Sequence, residues 1–479
     1  MSDINIRKEM KYNTIVAMLS RYSDYFLQLF ITAILSRILT PKDFGVVAVV
    51  SVFVVFFQLA SDIGIGAAII QDKHLDESDI KSAFNLTIII AIIFSVVFFS
   101  SANVIASFYD RQEYETIVKI LSISCLFNIL SMIPMNILRK KKKFLHIGVI
   151  IGVSNLVSGV TAIAMAVKGY SFYSLVIKAV LYSVMVFFLT FIFSKAKLGF
   201  VWRKSFFKRI VKFSFYQFMF NLVNYFSRNT DNILIGKYIG EETLGYYEKS
   251  YKLMMLPLQT FTYIIGSILH PILTEFQDDK DKLYSNYIYV CRILSLVGFP
   301  LSIVLFYNAS ELILILFGSQ WIYSISIFKV LSLSVGFQMV SSSAGAIYQA
   351  AGRTELLFLN GVITSSIIIS AVIFGILKNN VMYIAYGILA ATVISFYIGF
   401  YILIRIALKQ RLKPFYINML NPLLTSLIMA AVLFFVQNLL NFDEIVISIL
   451  LKSFIAFIVY LIMLRITNEL KFIKGVLHD

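Results

Sequence analysis

Ser36-Arg37-Ile38-Leu39-Thr40-Pro41-Lys42-Asp43-Phe44-Gly45 recurs in kind 200 residues later as Gly236-Lys237-Tyr238-Ile239-Gly240-Glu241-Glu242-Thr243-Leu244-Gly245. Each stretch is a helix end, a short turn, and a Phe-Gly or Leu-Gly pair that opens the next apolar helix. A second landmark agrees at an offset of 210: Lys119-Ile120-Leu121-Ser122-Ile123-Ser124 and Lys329-Val330-Leu331-Ser332-Leu333-Ser334. Both lie near the start of the fourth apolar segment of their half. Two landmarks in the same order point to duplication of a six-helix unit. An even helix number makes the copies parallel, related by an axis along the membrane normal. Such copies form two lobes with a cavity between them, a body suited to alternating access by rocking.

Composition sets the solvent. Of 479 residues, 59% are hydrophobic and 14% charged, against about 25% charged in a soluble domain, and the mean hydropathy is +0.84. Polar residues are too few to coat two or three water-soluble domains. A soluble enzyme, a nucleic-acid binder and a disordered scaffold are excluded; a polytopic membrane protein remains. The net charge of +16 then points to loops facing an anionic leaflet, or to a cavity for an anionic ligand. Cys125 and Cys291 lie in apolar stretches, and His74, His146, His270 and His478 show no ligand spacing, so neither disulfide nor metal site is expected. The polar N-terminus lacks the pattern of a cleaved signal peptide.

A spanning helix needs about 20 mostly apolar residues. Fourteen segments satisfy this, at roughly 12–39, 44–70, 82–109, 116–138, 145–167, 171–194, 210–239, 244–272, 284–307, 323–351, 355–377, 381–405, 416–438 and 445–465. With the N-terminus inside, the basic groups Arg139–Lys143, Lys195–Lys212, Arg405–Lys413 and Arg465–Lys474 all fall in inner loops. Both termini are then cytoplasmic. The expected fold is an all-α polytopic membrane protein with 14 transmembrane helices: two six-helix lobes around a central cavity, residues 1–205 and 206–410, plus two extra helices and a tail in 411–479.

The stretches Ala33–Gly45 and Ser61-Asp62-Ile63-Gly64-Ile65-Gly66-Ala67-Ala68-Ile69-Ile70-Gln71 carry a family resemblance, with Asp231–Lys237 and Leu244-Gly245-Tyr246-Tyr247 in the second half. The chain resembles the polysaccharide exporters of the multidrug/oligosaccharidyl-lipid/polysaccharide flippase superfamily, nearest the Wzx-type capsule, O-antigen and teichuronic-acid flippases. The resemblance covers nearly the whole chain and is silent on the sugar. It implies translocation of undecaprenyl-diphosphate-linked oligosaccharide from the inner to the outer leaflet of a bacterial cytoplasmic membrane. Membrane lipids, a polysaccharide polymerase and chain-length proteins are the implied partners, and no cofactor is expected.

Ionisable groups inside spans cost several kcal/mol unless paired or wet, so they are functional candidates. Arg21 and Asp24 in the first span share a helix face at i, i+3, as do Arg228 and Asp231 in the seventh. The offset of 200 sets Arg21 opposite Asn221, so the two pairs are not equivalent positions. Arg21 lies roughly 13 Å above the inner helix end and Arg228 roughly 27 Å. Lys178, Lys249, Lys252 and Lys329 fall in the outer third, and Arg292 near the inner face. If these face the cavity they form a positive lining for a diphosphate, which Arg matches with a planar fork. Asn221 and Asn224, with Gln217 and Asn229, give the seventh span a polar stripe suited to sugar hydroxyls or to interhelical bonding. Asp24, Asp62, Asp231 and Glu248 offset the positive charge, or one carries a coupling proton. The bland alternatives are pairing within a helix for the Arg–Asp pairs and snorkelling for the lysines.

No residue is expected to be catalytic. No Gly-x-x-x-x-Gly-Lys-Ser/Thr motif occurs, so any drive comes from an ion gradient or from consumption of cargo. Two competing functions are a membrane polymerase or glycosyltransferase of the same pathway, opposed by the short outer loops, and a cation-coupled drug exporter, opposed by the basic lining and the last two spans.

Overall fold

The structure, a computed structural model, describes residues 3–61, 76–196, 225–226, 228–274, 279–439 and 444–472. These residues form helices and no strand. The first half contains α1 (Asp3–Ile38), α2 (Pro41–Ser61), α3 (Glu77–Ser100), α4 (Ala102–Tyr109), α5 (Glu113–Leu130), α6 (Met132–Lys140), α7 (Phe144–Val167) and α8 (Tyr173–Ser194). Helix α9 (228–238) and α10 (Glu241–Thr274) follow, then α11 (Lys280–Tyr307), α12 (Ala309–Leu316), α13 (Ile322–Ser332), α14 (Val335–Ser341), α15 (Ala344–Ala350), α16 (Thr354–Leu377), α17 (Val381–Tyr401), α18 (Leu412–Leu439) and α19 (Ile445–Ile466).

Among the described residues ten helices are long and apolar enough to cross a membrane. An eleventh crossing results if the pair Ser319–Ser332 and Val335–Ala350, bent by 46°, is one span. The chain is therefore an all-helical, multi-pass membrane protein. Three of the fourteen expected segments are not in this set. α1 is diluted by Arg21, Asp24 and the polar side chains between them. The side chains of α10 beyond residue 260 and most of the 210–239 segment fall outside the described residues.

Helix lengths recur along the chain. α3 to α6 run 24, 8, 18 and 9 residues, and α11 to α14 run 28, 8, 11 and 7. A hairpin of 24 and 22 residues follows in the first half, and one of 24 and 21 in the second. The Lys landmarks behave alike. Lys119 lies 5.7 Å over the Phe99 ring and Lys329 6.0 Å over Phe306. Three residues on, the hydroxyls of Ser122 and Ser332 donate to the carbonyl of that lysine.

The chain divides into two compact units, Met1–Gly245 and Tyr246–Asp479. In the first, α1 packs along α7, α7 along α8, and α3 along α5. Small residues permit this: a Cβ on Gly159 of α7 would strike Ile31, and one on Gly148 would strike Ser20. Apolar helices gain nothing from hydrophobic burial against lipid, so close approach at small residues holds them instead. In the second unit, α16 packs along α17, and α11 along α18 and α14. Leu, Ile and Phe side chains remain exposed along most spans, as lipid-facing positions require.

Candidate functional site

Helical periodicity puts Arg21, Asp24, Tyr25 and Gln28 on one stripe of α1. The Arg21 guanidinium donates to the Tyr25 hydroxyl through Nε at 3.3 Å and Nη2 at 3.1 Å, and lies 5.6 Å from that ring's centroid. The Asp24 carboxylate accepts from Gln28 Nε2 at 3.0 Å and from Asn155 Nδ2 of α7. Lys178 of α8 stands in electrostatic reach of Asp24, as does the Tyr182 ring one turn further along α8. Three helices thus converge on one Arg, one Asp and one Lys, with amide and phenol groups between them. Arg21, Asp24 and Lys178 are all half-buried.

The other expected residues lie on α9, α10 and α11. Arg228 is exposed on α9, and Asp231, a turn away, is buried and accepts the Asn232 backbone N–H at 2.8 Å. Lys249 is buried in the second unit, with the rings of Phe317 and Trp321 at 5.0 and 5.2 Å. Lys252 is exposed and pairs with Glu248 at 2.5 Å. Arg292 lies on α11. Glu469 grips it through Nε at 2.9 Å and Nη2 at 2.8 Å, Asn418 accepts from Nη1 at 3.3 Å, and the Phe472 ring lies 4.2 Å away. Asp62, Asn221 and Asn224 lie outside the described residues.

Sequence reading missed Gln28 and Asn155, although a lone Asn among the small residues of a spanning helix is a signal. It also missed Lys452, an ammonium in the middle of the last span. That group donates to Glu311 Oε1 at 2.6 Å and to the Tyr307 carbonyl at 3.2 Å, and the Ser448 hydroxyl donates to the same carboxylate at 2.6 Å. Burial pushes the Glu311 carboxyl up, but the Lys452 and Ser448 hydrogen bonds more than reverse this and hold it below the ordinary glutamate range. Among the described residues no three His, Cys, Asp or Glu side chains are grouped to hold a metal ion.

Residues 34–326 match the family described as polysaccharide biosynthesis protein. The chain belongs to that family. It is 26% identical to the teichuronic acid biosynthesis protein TuaB of Bacillus subtilis, over 79% of each chain. It is 22% identical to the lipopolysaccharide biosynthesis protein WzxC of Escherichia coli, over 82% of this chain and 80% of that one. It is 21% identical to the succinoglycan biosynthesis transport protein ExoT of Rhizobium meliloti, over 95% and 92%. Among solved structures, the fold matches a lipid II flippase MurJ in an inward closed conformation. The TM-score is 0.76 at 18% identity, covering 95% of this chain and 99% of that one. A multidrug resistance MATE family transporter of the MOP superfamily matches at TM-score 0.60 and 15% identity, over 80% and 95%. This family member therefore has the MOP transporter fold.

Proposed function

We propose that the protein is a flippase. It carries undecaprenyl-diphosphate-linked oligosaccharide repeat units from the inner to the outer leaflet of the cytoplasmic membrane, for capsule, O-antigen or teichuronic-acid-like polysaccharide. The observation that carries this reading is the Arg21–Asp24–Lys178 cluster on α1 and α8, joined by Asn155 of α7, in a chain of the polysaccharide biosynthesis family. In this reading Arg21 and Lys178 take the diphosphate, and Asp24 balances their charge when the site is empty. Arg228, Lys249 and Lys252 supply positive steps along the same route. The isoprenoid tail stays in lipid while the head crosses, and no covalent bond is made or broken, so the protein is not an enzyme.

The topology proposed with it has fourteen spans, both termini cytoplasmic, and lobes 1–205 and 206–410 rocking against each other, with 411–479 as an added pair of spans and a tail. Three supports are the inner clustering of Lys and Arg, the recurrence of helix order, and the chain-long likeness to the MurJ fold. Polymerase and chain-length proteins are its proposed partners. The test is the leaflet distribution of lipid-linked oligosaccharide in cells with and without the gene. Complete units trapped on the inner leaflet without it support flipping and identify the cargo by mass. Complete, unpolymerised units already on the outer leaflet would make the step enzymatic.

A further inference from the structure

The winding of α17 changes where the helix ends. Ile402–Ala407 continue it as a π-helix, and the Leu408 N–H reaches back to the Leu403 carbonyl at 3.0 Å. Such windings are frequent at functional sites. Ile402, Leu403, Ile404, Ala407 and Leu408 are buried, whereas Arg405 is exposed. The loop to α18 then presents Lys409, Arg411 and Lys413, all exposed. That loop is fastened without their charges. The Tyr284 hydroxyl donates to the Arg411 backbone carbonyl at 2.5 Å, and the Gln410 amide donates to Asp281 Oδ1 at 2.5 Å. Asp281 thus takes a neutral amide, and among the described residues none of these four cations is in an ion pair. The basic turn at Arg139–Lys143 differs: there Arg139 donates to Asn136, and Lys141 to the Ser194 carbonyl. Tyrosines adjoin the four cations along the two helices. Tyr397 and Tyr401 of α17 are each 52% exposed, and the Tyr416 ring of α18 lies 5.6 Å from that of Tyr397.

We propose that this end of the second unit binds the headgroup phosphate of an anionic phospholipid. The inference needs only that α17 and α18 cross the membrane, and it stands apart from the transport reading. Four cations between positions 405 and 413 repel one another unless an anion joins them. At the surface of a bacterial membrane the anion at hand is a lipid phosphate. Arg405 and Arg411 offer planar forks that match phosphate oxygens in pairs, and Lys409 and Lys413 add point charges. Tyrosine rings, apolar in body and polar at the edge, settle at headgroup level. The exposed Ile406, Ile417 and Leu420 side chains then meet the acyl chains. A zwitterionic lipid, whose phosphate carries its own cation, is the poorer ligand.

The test uses the full-length protein, purified in detergent and stripped of lipid. Native mass spectrometry counts what it rebinds from an equimolar mixture of phosphatidylglycerol and phosphatidylcholine. The parent is expected to favour phosphatidylglycerol about tenfold. Neutralising the site with Arg405→Gln, Lys409→Gln, Arg411→Gln and Lys413→Gln is expected to cut that ratio at least about fivefold. A comparison variant removes the same charge from the first unit, with Arg139→Gln, Lys140→Gln, Lys142→Gln and Lys143→Gln, and is expected to keep the parent's ratio. Arg405→Lys with Arg411→Lys retains the charge and is expected to keep most of the preference, which separates loss of the site from loss of the fold. A parent without preference, a preference that survives neutralisation, or an equal loss in the comparison variant overturns the site. Inorganic phosphate separates the two sources of the anion. Retention of the lipid against an equal concentration of phosphate is expected; its displacement would make this a site for free phosphate and overturn the lipid assignment. The readout involves no transport, so its failure leaves the flippase reading standing.

Discussion

The cluster around Asp24 in the first unit and the ion pairs near the C-terminus of the second hold their carboxylates in different ways. In the first, Arg21 and Asp24 lean on Tyr25, Gln28 and Asn155. In the second, Lys452 closes on Glu311 and Arg292 on Glu469, carboxylates that are 8% and 0% exposed. A charge held by a buried carboxylate cannot leave without stranding its partner. The first arrangement leaves Asp24 half-buried between neutral amide donors. The second suits fixed joints, tying the last span to α12 and the C-terminal segment to α11.

Breaking the tightest joint has the largest expected effect. Lys452→Met should destabilise the protein by about 3–5 kcal/mol, the range for removing one member of a buried pair. Lys452→Met with Glu311→Leu should recover most of the loss, read as melting in detergent. A single variant melting with the parent would remove the joint from the second unit's account. The same pair carries a pH signature. A carboxyl held below its ordinary value stabilises above that value, about 4.3 for glutamate, and the contribution vanishes as pH falls through the lowered one. Glu311→Gln should therefore flatten the acid side of the melting curve.

Next is Glu469→Ala. It should cost about 2 kcal/mol, less than the deeper pair because Arg292 is 21% exposed and can find water. Transport should fall only as far as stability does.

Arg21→Ala should invert that pattern. Its melting should shift by under about 0.5 kcal/mol, while translocation falls about 10–100-fold, the loss of one charge-assisted contact worth about 1.5–3 kcal/mol. Arg21→Lys should keep part of the activity, because charge survives and the fork does not. Full activity in both variants would erase the contrast between the units. The smallest effect is expected at Lys252→Ala. Its pair with Glu248 is 70% exposed on the Lys side, so stability should change by under about 1 kcal/mol and less still at high salt.

Much of the fold is legible along the chain. Apolar length separates spans from loops, and the repeated Lys-x-x-Ser landmark marks the fourth span of each half. A departure comes where charge interrupts apolarity, in α1, which carries Arg21 and Asp24. The site was legible only in part. An ionisable group in a span announces itself, as Arg21, Asp24 and Lys178 do, but its partner lies on another helix at a separation that carries no pattern. Asp24 meets Asn155, 131 positions away, and Arg292 meets Glu469, 177 away.

The sequence by itself determined a multi-pass helical protein and most of the charged positions along its apolar segments, because these depend on local apolarity and on residue order. Only the tertiary structure decided which partners these charges meet, Glu469 for Arg292 and Asn155 for Asp24. It also decided that Gly45 and Gly245 meet each other's helix openings. Both depend on how helices far apart in sequence pack, and inside a bilayer that packing is chosen by close backbone approach and polar contact rather than by the hydrophobic pattern a sequence displays.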